Sequence, residues 1–313
     1  MKFGVREICD VVFKAKSAGN LGKYRYDVGQ PVLYIDSAKT STMEGAATTV
    51  YATGGKGNNR LIAWEGEKTL TFTVEDALLS PMGLSILAGA GIFDAAADRK
   101  VHVHTTAVST MVYKNSAGQY EIDLTSELED KGEIDKSAPV FVMLVDADNT
   151  ITGDFVQGFS IDSVSKKKLT ASSATLKSTG LAPDAKNYTV FVDFYIEKTE
   201  GVQEIVIDES TFGGNFYVEA STLFRRQSDG EDLAAELVFP NVKIQSNFSF
   251  SMSSTGDPST FTFTMDAFPG KTLFDNTKKV LCAIQIVDET VTQGAAKAID
   301  DSLVDSPDHV EGI

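Results

Sequence analysis

Long apolar runs are missing from this sequence. No stretch of its 313 residues approaches the roughly 20 consecutive apolar residues of a helical membrane span, so membrane insertion is not expected. The opening residues, Met1-Lys2-Phe3-Gly4-Val5-Arg6-Glu7, have no apolar stretch behind their basic residues, unlike a secretory signal, and folding in a cytoplasm is expected. Cysteine is scarce. Cys9 and Cys282 sit in apolar contexts, and two buried free thiols are expected rather than a disulfide joining the chain's ends. Cations are outnumbered, 28 Lys and Arg against 44 Asp and Glu, for a net charge of −16. A general grip on nucleic acid needs cations to replace the counterions of phosphates, and this composition argues against one. The same charge suits a surface past which DNA slides without adhering, and it equally suits an ordinary soluble protein.

Residues for catalysis are also few. There are three histidines. His102 and His104, two apart on an expected strand, share a face as a metal pair would, but no third ligand stands at convincing spacing, so exposed strand histidines are expected. His309 lies in an acidic tail, a poor place for a base. No G-x-S-x-G elbow occurs, and nothing selects two of the 44 carboxylates as an acid and a base. Thr53 to Arg60 is Gly-rich with two cations, Lys56 and Arg60, yet lacks the order of a phosphate-binding loop. It reads as a connector or assembly loop whose cations meet carboxylates of a neighbouring subunit. Asp146-Ala147-Asp148-Asn149 opens like a calcium loop, but Ile151 and Gln157 stand where glycine and glutamate belong, and a hairpin turn is expected. No catalytic, cofactor or metal residues are expected, and the chain does not read as an enzyme.

What is present is strand. Val32 to Ile35 is a short apolar run, and Thr69 to Val74 alternates strictly, with Leu70, Phe72 and Val74 on one face and threonines on the other. Val101 to His104 and Met111 to Tyr113 continue the pattern. Val140 to Val145 is apolar at every position and reads as a strand covered on both sides. One helix is expected, with Ser80 as N-cap, Pro81 at its first position, and Gly89 and Gly91 ending it; it should pack on a sheet. Short strands from Ser137 to Lys198, including a long one over Tyr188 to Ile196, predict a small β-sandwich element. In Asn241 to Phe268, the apolar residues Val242, Ile244, Phe248, Phe250 and Met252 alternate with Lys243, Gln245, Asn247, Ser249 and Ser251. After a polar turn, Phe261, Phe263 and Met265 alternate with Thr262, Thr264 and Asp266. The pattern predicts a long antiparallel hairpin with one apolar and one hydrated face. Little blunts its edges, so neighbours, including other copies, are expected to complete the sheet. Ile299 to Ile313 has five acidic residues and no Lys or Arg, and reads as a mobile or partner-bound tail.

The run Phe239-Pro240-Asn241-Val242-Lys243-Ile244, then Phe248-Ser249-Phe250, a polar turn, and Thr260-Phe261-Thr262-Phe263-Thr264-Met265 resembles the C-terminal half of tail tube proteins of contractile-tailed bacteriophages. These are related to other phage-tail-like and secretion-system tube proteins. Thr69 to Val74 running into the capped helix, and Arg6 to Val11, look similar to that family too. The resemblance covers about half the chain; the stretch near 137–198 is extra to the family's simple members. It implies a mainly β fold: a tail-tube-type β-sandwich or barrel (1–136 with 199–298), one packed helix, an inserted β-sandwich element (137–198) and an acidic tail (299–313). It further implies hexameric rings stacked into a hollow tube in a virion tail, assembled in the host cytoplasm. Lys243, Gln245, Asn247, Ser249, Ser251, Thr262 and Thr264 would line the bore through which genomic DNA passes without specific binding. The loop Ala38 to Arg60, with Lys56 and Arg60, would contact the next ring. Sheath, tape measure and baseplate proteins would be partners. A terminator, or a decoration or neck/baseplate adaptor protein with an immunoglobulin-like module, is the alternative.

Overall fold

The computed structural model describes residues 2–21, 24–114, 118–129, 131–172, 175–176, 187–249, 254–255 and 259–288. Phe250, Ser251, Met252, the segment Leu181 to Asp184 and the acidic tail 299–313 lie outside them. The chain divides into two compact units, Met1–Ile92 with Ile205–Ile313, and Phe93–Glu204. Both are strand-dominated, and the described residues contain one helix. It is not long and apolar enough to cross a membrane.

In the first unit one antiparallel sheet runs through Pro31–Ile35, Asp10–Ala15, Asn215–Arg226, Asp232–Ile244, Phe261–Ala267, Asn59–Asp76 and Ala38–Gly54, in that order. Alternation decides which side chains meet. Val11, Phe13, Phe72, Val74, Val242, Ile244, Phe263 and Met265 are buried in one core cluster. The rings of Phe13 and Phe263 lie 6.0 Å apart, although their strands are three steps apart in the sheet, roughly 14 Å if it were flat. The sheet therefore curls around its apolar face, and Phe72 stacks on Phe239 at 4.8 Å within it.

The helix Pro81–Ala88 begins and ends where its sequence dictates. Ser80 Oγ accepts from the Gly83 N–H at 2.9 Å, Pro81 occupies the first turn, and Gly89 closes the helix at φ 67°. Gly91 opens the next strand, Gly91–Asp94, instead of contributing to the stop. Ile86 and Leu87 enter the sheet's core, and a Cβ on Gly83 would lie 3.3 Å from the Phe263 ring.

The closing hairpin is shorter than expected. Asp232–Ile244 and Phe261–Ala267 pair only from Val242↔Ala267 to Ile244↔Met265, with one further bond from Gln245 N–H to the Thr264 carbonyl at 2.9 Å. The other edge of Phe261–Ala267 is taken by Asn59–Asp76, from Phe261↔Asp76 to Asp266↔Thr71. The neighbour expected to complete the sheet at this edge is thus a strand of the chain itself. Phe248 leaves the ladder to pack beside Leu84, Ala88 and Ala90.

The second unit begins at Phe93, well before the boundary at 137 expected for the middle element. The reason is pairing: Val101–Lys114 is one continuous strand, bonded antiparallel to Asn187–Lys198 along that strand's whole length. Around this pair lie Phe141–Val145 and Ile151–Phe155 on one side, and Gln119–Asp123, Lys168–Ser172 and Ser160–Ile161 on the other. Val142, Leu144, Val190, Val192 and Phe194 fill the core. Phe141–Val145 is covered on one side, not two. Alternate residues face opposite ways, and Phe141 is 44% exposed against Phe155. Asp146 forms the expected turn, its Oδ1 accepting from the Asp148 and Thr150 N–H groups at 3.0 and 2.8 Å. Cys9 and Cys282 are free thiols, and burial pushes Cys282 up to about 11.

Candidate assembly surfaces

The strand register brings together a polar face that no single segment reveals. Thr40, Glu75 and Thr262 form one cross-strand row, and Thr42, Thr73 and Thr264 the next. Glu44, Thr71, Asp266 and Lys243 form the third. Their neighbours in sequence, Phe72, Val74, Phe261, Phe263, Met265, Val242 and Ile244, point into the core.

Hydroxyls and amides hold the carboxylates of this face. Glu75 accepts from Thr260 and from Thr40 Oγ1, the latter at 3.1 Å, and these bonds hold its carboxyl below the usual range, so it stays ionised. Asp266 accepts from Thr71 Oγ1 at 3.2 Å and from Gln245 Nε2 at 3.0 and 3.1 Å. Lys243 donates to the Gly213 carbonyl at 2.9 Å, so its ammonium is tied to backbone. The three rows carry three carboxylates, Glu44, Glu75 and Asp266, against that one cation. Chemically the face can hold water and repel phosphate, and offers it little purchase.

Of the residues expected to line a bore, Asn247, Ser249, Thr262 and Thr264 meet in one shallow depression beside Phe248. Lys243 and Gln245 adjoin it through Asp266, and Ser251 lies outside the described residues. The sequence reading missed Thr40, Thr42, Glu44, Thr71, Thr73 and Glu75 as members of the same face. The threonine alternation of 69–74 was visible; the register that sets it beside Thr262 and Thr264 was not.

The second surface is the segment expected to be a loop. Ala38–Gly54 and Asn59–Asp76 instead form a single long hairpin that turns at Gly55 to Asn58. Beyond Thr71 this ribbon has lost its neighbour Phe261–Ala267 and continues as two strands for roughly 40 Å at strand rise. Cross-strand pairs Val50↔Trp64 and Ala52↔Ile62 put Val50, Trp64 and Ile62 on one face, 62%, 50% and 55% exposed. Lys56 sits at the tip, and the Arg60 guanidinium lies over the Tyr51 ring at 4.0 Å. Gly66 marks a bulge opposite Thr48, where a Cβ would come within 2.4 Å of Thr48 Oγ1 and 3.1 Å of its carbonyl. An isolated two-stranded ribbon is marginal in water, and this one exposes apolar residues on top of that.

A sequence model described as the YomU/Tube protein family matches residues 4–278. The matched span includes all of Phe93–Glu204. No curated protein matches the chain.

Proposed function

This chain belongs to the YomU/Tube protein family, a family of phage-type tube proteins, and on that premise we propose that it is the subunit of a tail tube that conducts DNA. Membership makes it a phage tube-like structural protein and a component of a virion tail. The finer reading is that six copies close into a ring and rings stack into a hollow tube, as in the contractile-tail tubes its strands resemble. Sheath, tape measure and baseplate proteins are the partners this reading expects, and it assigns the chain no catalysis.

One observation carries the proposal. The ribbon Ala38–Gly54 with Asn59–Asp76 extends past its own sheet with Val50, Ile62 and Trp64 in the open. Such a ribbon is stabilised when another subunit covers it, and a neighbouring ring is the surface a stacked tube supplies. The threonine–carboxylate face supports the second half of the reading. Turned to a bore, it presents hydroxyls and negative charge to DNA and ties down its one ammonium.

Negative-stain electron microscopy of the purified full chain at high concentration tests this. Stacked rings or hollow tubes, six-fold in end-on averages, are the expected result. Rings of another symmetry would overturn the hexamer. Uniform small particles at every concentration would replace the tube subunit by a decoration or neck/baseplate adaptor protein with an immunoglobulin-like module.

A further inference from the structure

The Phe93–Glu204 unit holds a cluster that the tube reading does not use. His102 and Glu197 are direct partners across the central strand pair, and Asp135 follows the two-residue strand Glu133–Ile134 that pairs with the same strand as Glu197. His102 Nδ1 lies 2.5 Å from Asp135 Oδ2, and one ligand atom from each of His102, Asp135 and Glu197 falls within 4.8 Å of the other two.

We propose that these three side chains form a binding site for a first-row divalent cation of the zinc class. Ligands of one tetrahedral zinc, each at about 2.0–2.2 Å from the metal, stand roughly 3.3–3.6 Å from one another. Opening the His102–Asp135 contact by about 1 Å, and bringing Glu197 in from no more than 4.8 Å, meets that spacing by side-chain rotation. One imidazole with two carboxylates favours zinc, cobalt or nickel over calcium or magnesium, which prefer oxygen alone.

The surroundings are those of a held ligand set. The Asp135 side chain is 1% exposed, and its Oδ1 accepts from both the N–H and the Oγ of Ser137 at 2.7 Å, which leaves Oδ2 turned to His102. The Asp135 N–H is bonded to the Tyr195 carbonyl at 2.8 Å, fixing the backbone to the central strand. Lys100 holds Glu197 Oε1 at 2.8 Å, so Oε2 is the oxygen for the ion. Asp135 and Glu197 supply the two carboxylates of the set, and the Lys100 ammonium is bonded to one of them. A 610 Å³ cleft lined by Asp135, Ser137 and Glu197, with Lys100, Lys136, Lys166 and Lys198 balancing its carboxylates, adjoins it and gives water access to the remaining coordination position. The neighbouring pair in the same unit provides the contrast. His104 meets Asp193 at 3.0 Å, both more exposed, and no third ligand joins them among the described residues. An ion on His102, Asp135 and Glu197 would tie three strands together at the point where one of them is only two residues long.

The test is calorimetric titration of zinc into the chelator-dialysed full chain, with cobalt absorption in parallel. One saturable equivalent per chain is expected, with a rise in the unit's thermal midpoint. His102→Ala should abolish it, His104→Ala should keep it, and Ser137→Ala should weaken it by roughly 10–100-fold as loss of an orienting partner does. His102 is half-exposed, so its variant folds and stays readable even where Asp135→Asn does not. No saturable equivalent, unchanged binding by His102→Ala, or loss in His104→Ala alone would each overturn the site. None of these outcomes bears on tube assembly, which electron microscopy reads separately.

Discussion

Gly89 shows how much a single position decides. Its φ of 67° is left-handed, and a Cβ there would sit 2.6 Å from the Phe212 carbonyl carbon. Gly89→Ala therefore combines backbone strain with a steric clash and should lose roughly 2–4 kcal/mol in urea unfolding; a loss under about 0.5 kcal/mol would show that the helix end relaxes freely. This glycine was legible in sequence, since Ser80-Pro81 at the start and Gly89 at the end are local signals. The ion pair of Asp123 with Lys168 was not. Partial burial would raise the Asp123 carboxyl, but the Lys168 ammonium at 2.6 Å and hydrogen bonds from Thr125 outweigh it and bring it to about 2. A carboxyl depressed on folding stabilises above its unfolded value, near 3.9, and that contribution is lost as pH falls through its folded value. The stability advantage of the native chain over Asp123→Asn should therefore shrink between about pH 4 and pH 2. Parallel stability curves across that window would refute the assignment.

At the scale of elements, the ribbon is the most consequential and the least legible. Thr69 to Val74 reads plainly as a half-buried strand, but its continuation through Trp64 and Ile62 exposes apolar residues, which no burial pattern in the sequence announces. Because Trp64 is 50% exposed and outside the core, Trp64→Glu should change unfolding stability by no more than about 0.5 kcal/mol while preventing ring stacking. The pair of measurements is thermal melting and electron microscopy; normal tubes from this variant would remove the ribbon from the assembly contact. The alternation of Val242 to Ser249 with Phe261 to Met265 was also legible. The partner of Phe261–Ala267 was not, because Asn59–Asp76 arrives from nearly two hundred residues away.

For the whole molecule, the charge of −16 and the threonine–carboxylate face act together. Ser249 and Thr262, both exposed and lining one depression, can each become lysine without touching the core. Ser249→Lys with Thr262→Lys should leave folding and tube formation intact and slow DNA ejection from particles, as phosphates gain cations to bind. Ejection at the normal rate from such particles would mean that this face does not line the bore. The two-unit organisation belongs to this scale as well. The middle unit starts at Phe93 and not near 137, because strands at both of its ends pair with each other and carry the boundary outward.

By itself the sequence determined the strand-dominated class, the capped helix, the inward and outward residues of strictly alternating strands such as Thr69 to Val74 and Phe261 to Met265, and the scarcity of catalytic groups. Those follow from spacings within a few residues: period two along a strand, and capping positions at a helix end. Tertiary structure alone decided which strand lies beside which, and so it decided everything that depends on neighbours. The rows Thr40–Glu75–Thr262 and Thr42–Thr73–Thr264, the self-filled edge of Phe261–Ala267, and the meeting of His102 with Asp135 and Glu197 are of that kind. Alternation reads the same whatever the partner strand, whereas register is set by long-range packing of the curled core, which no local pattern encodes.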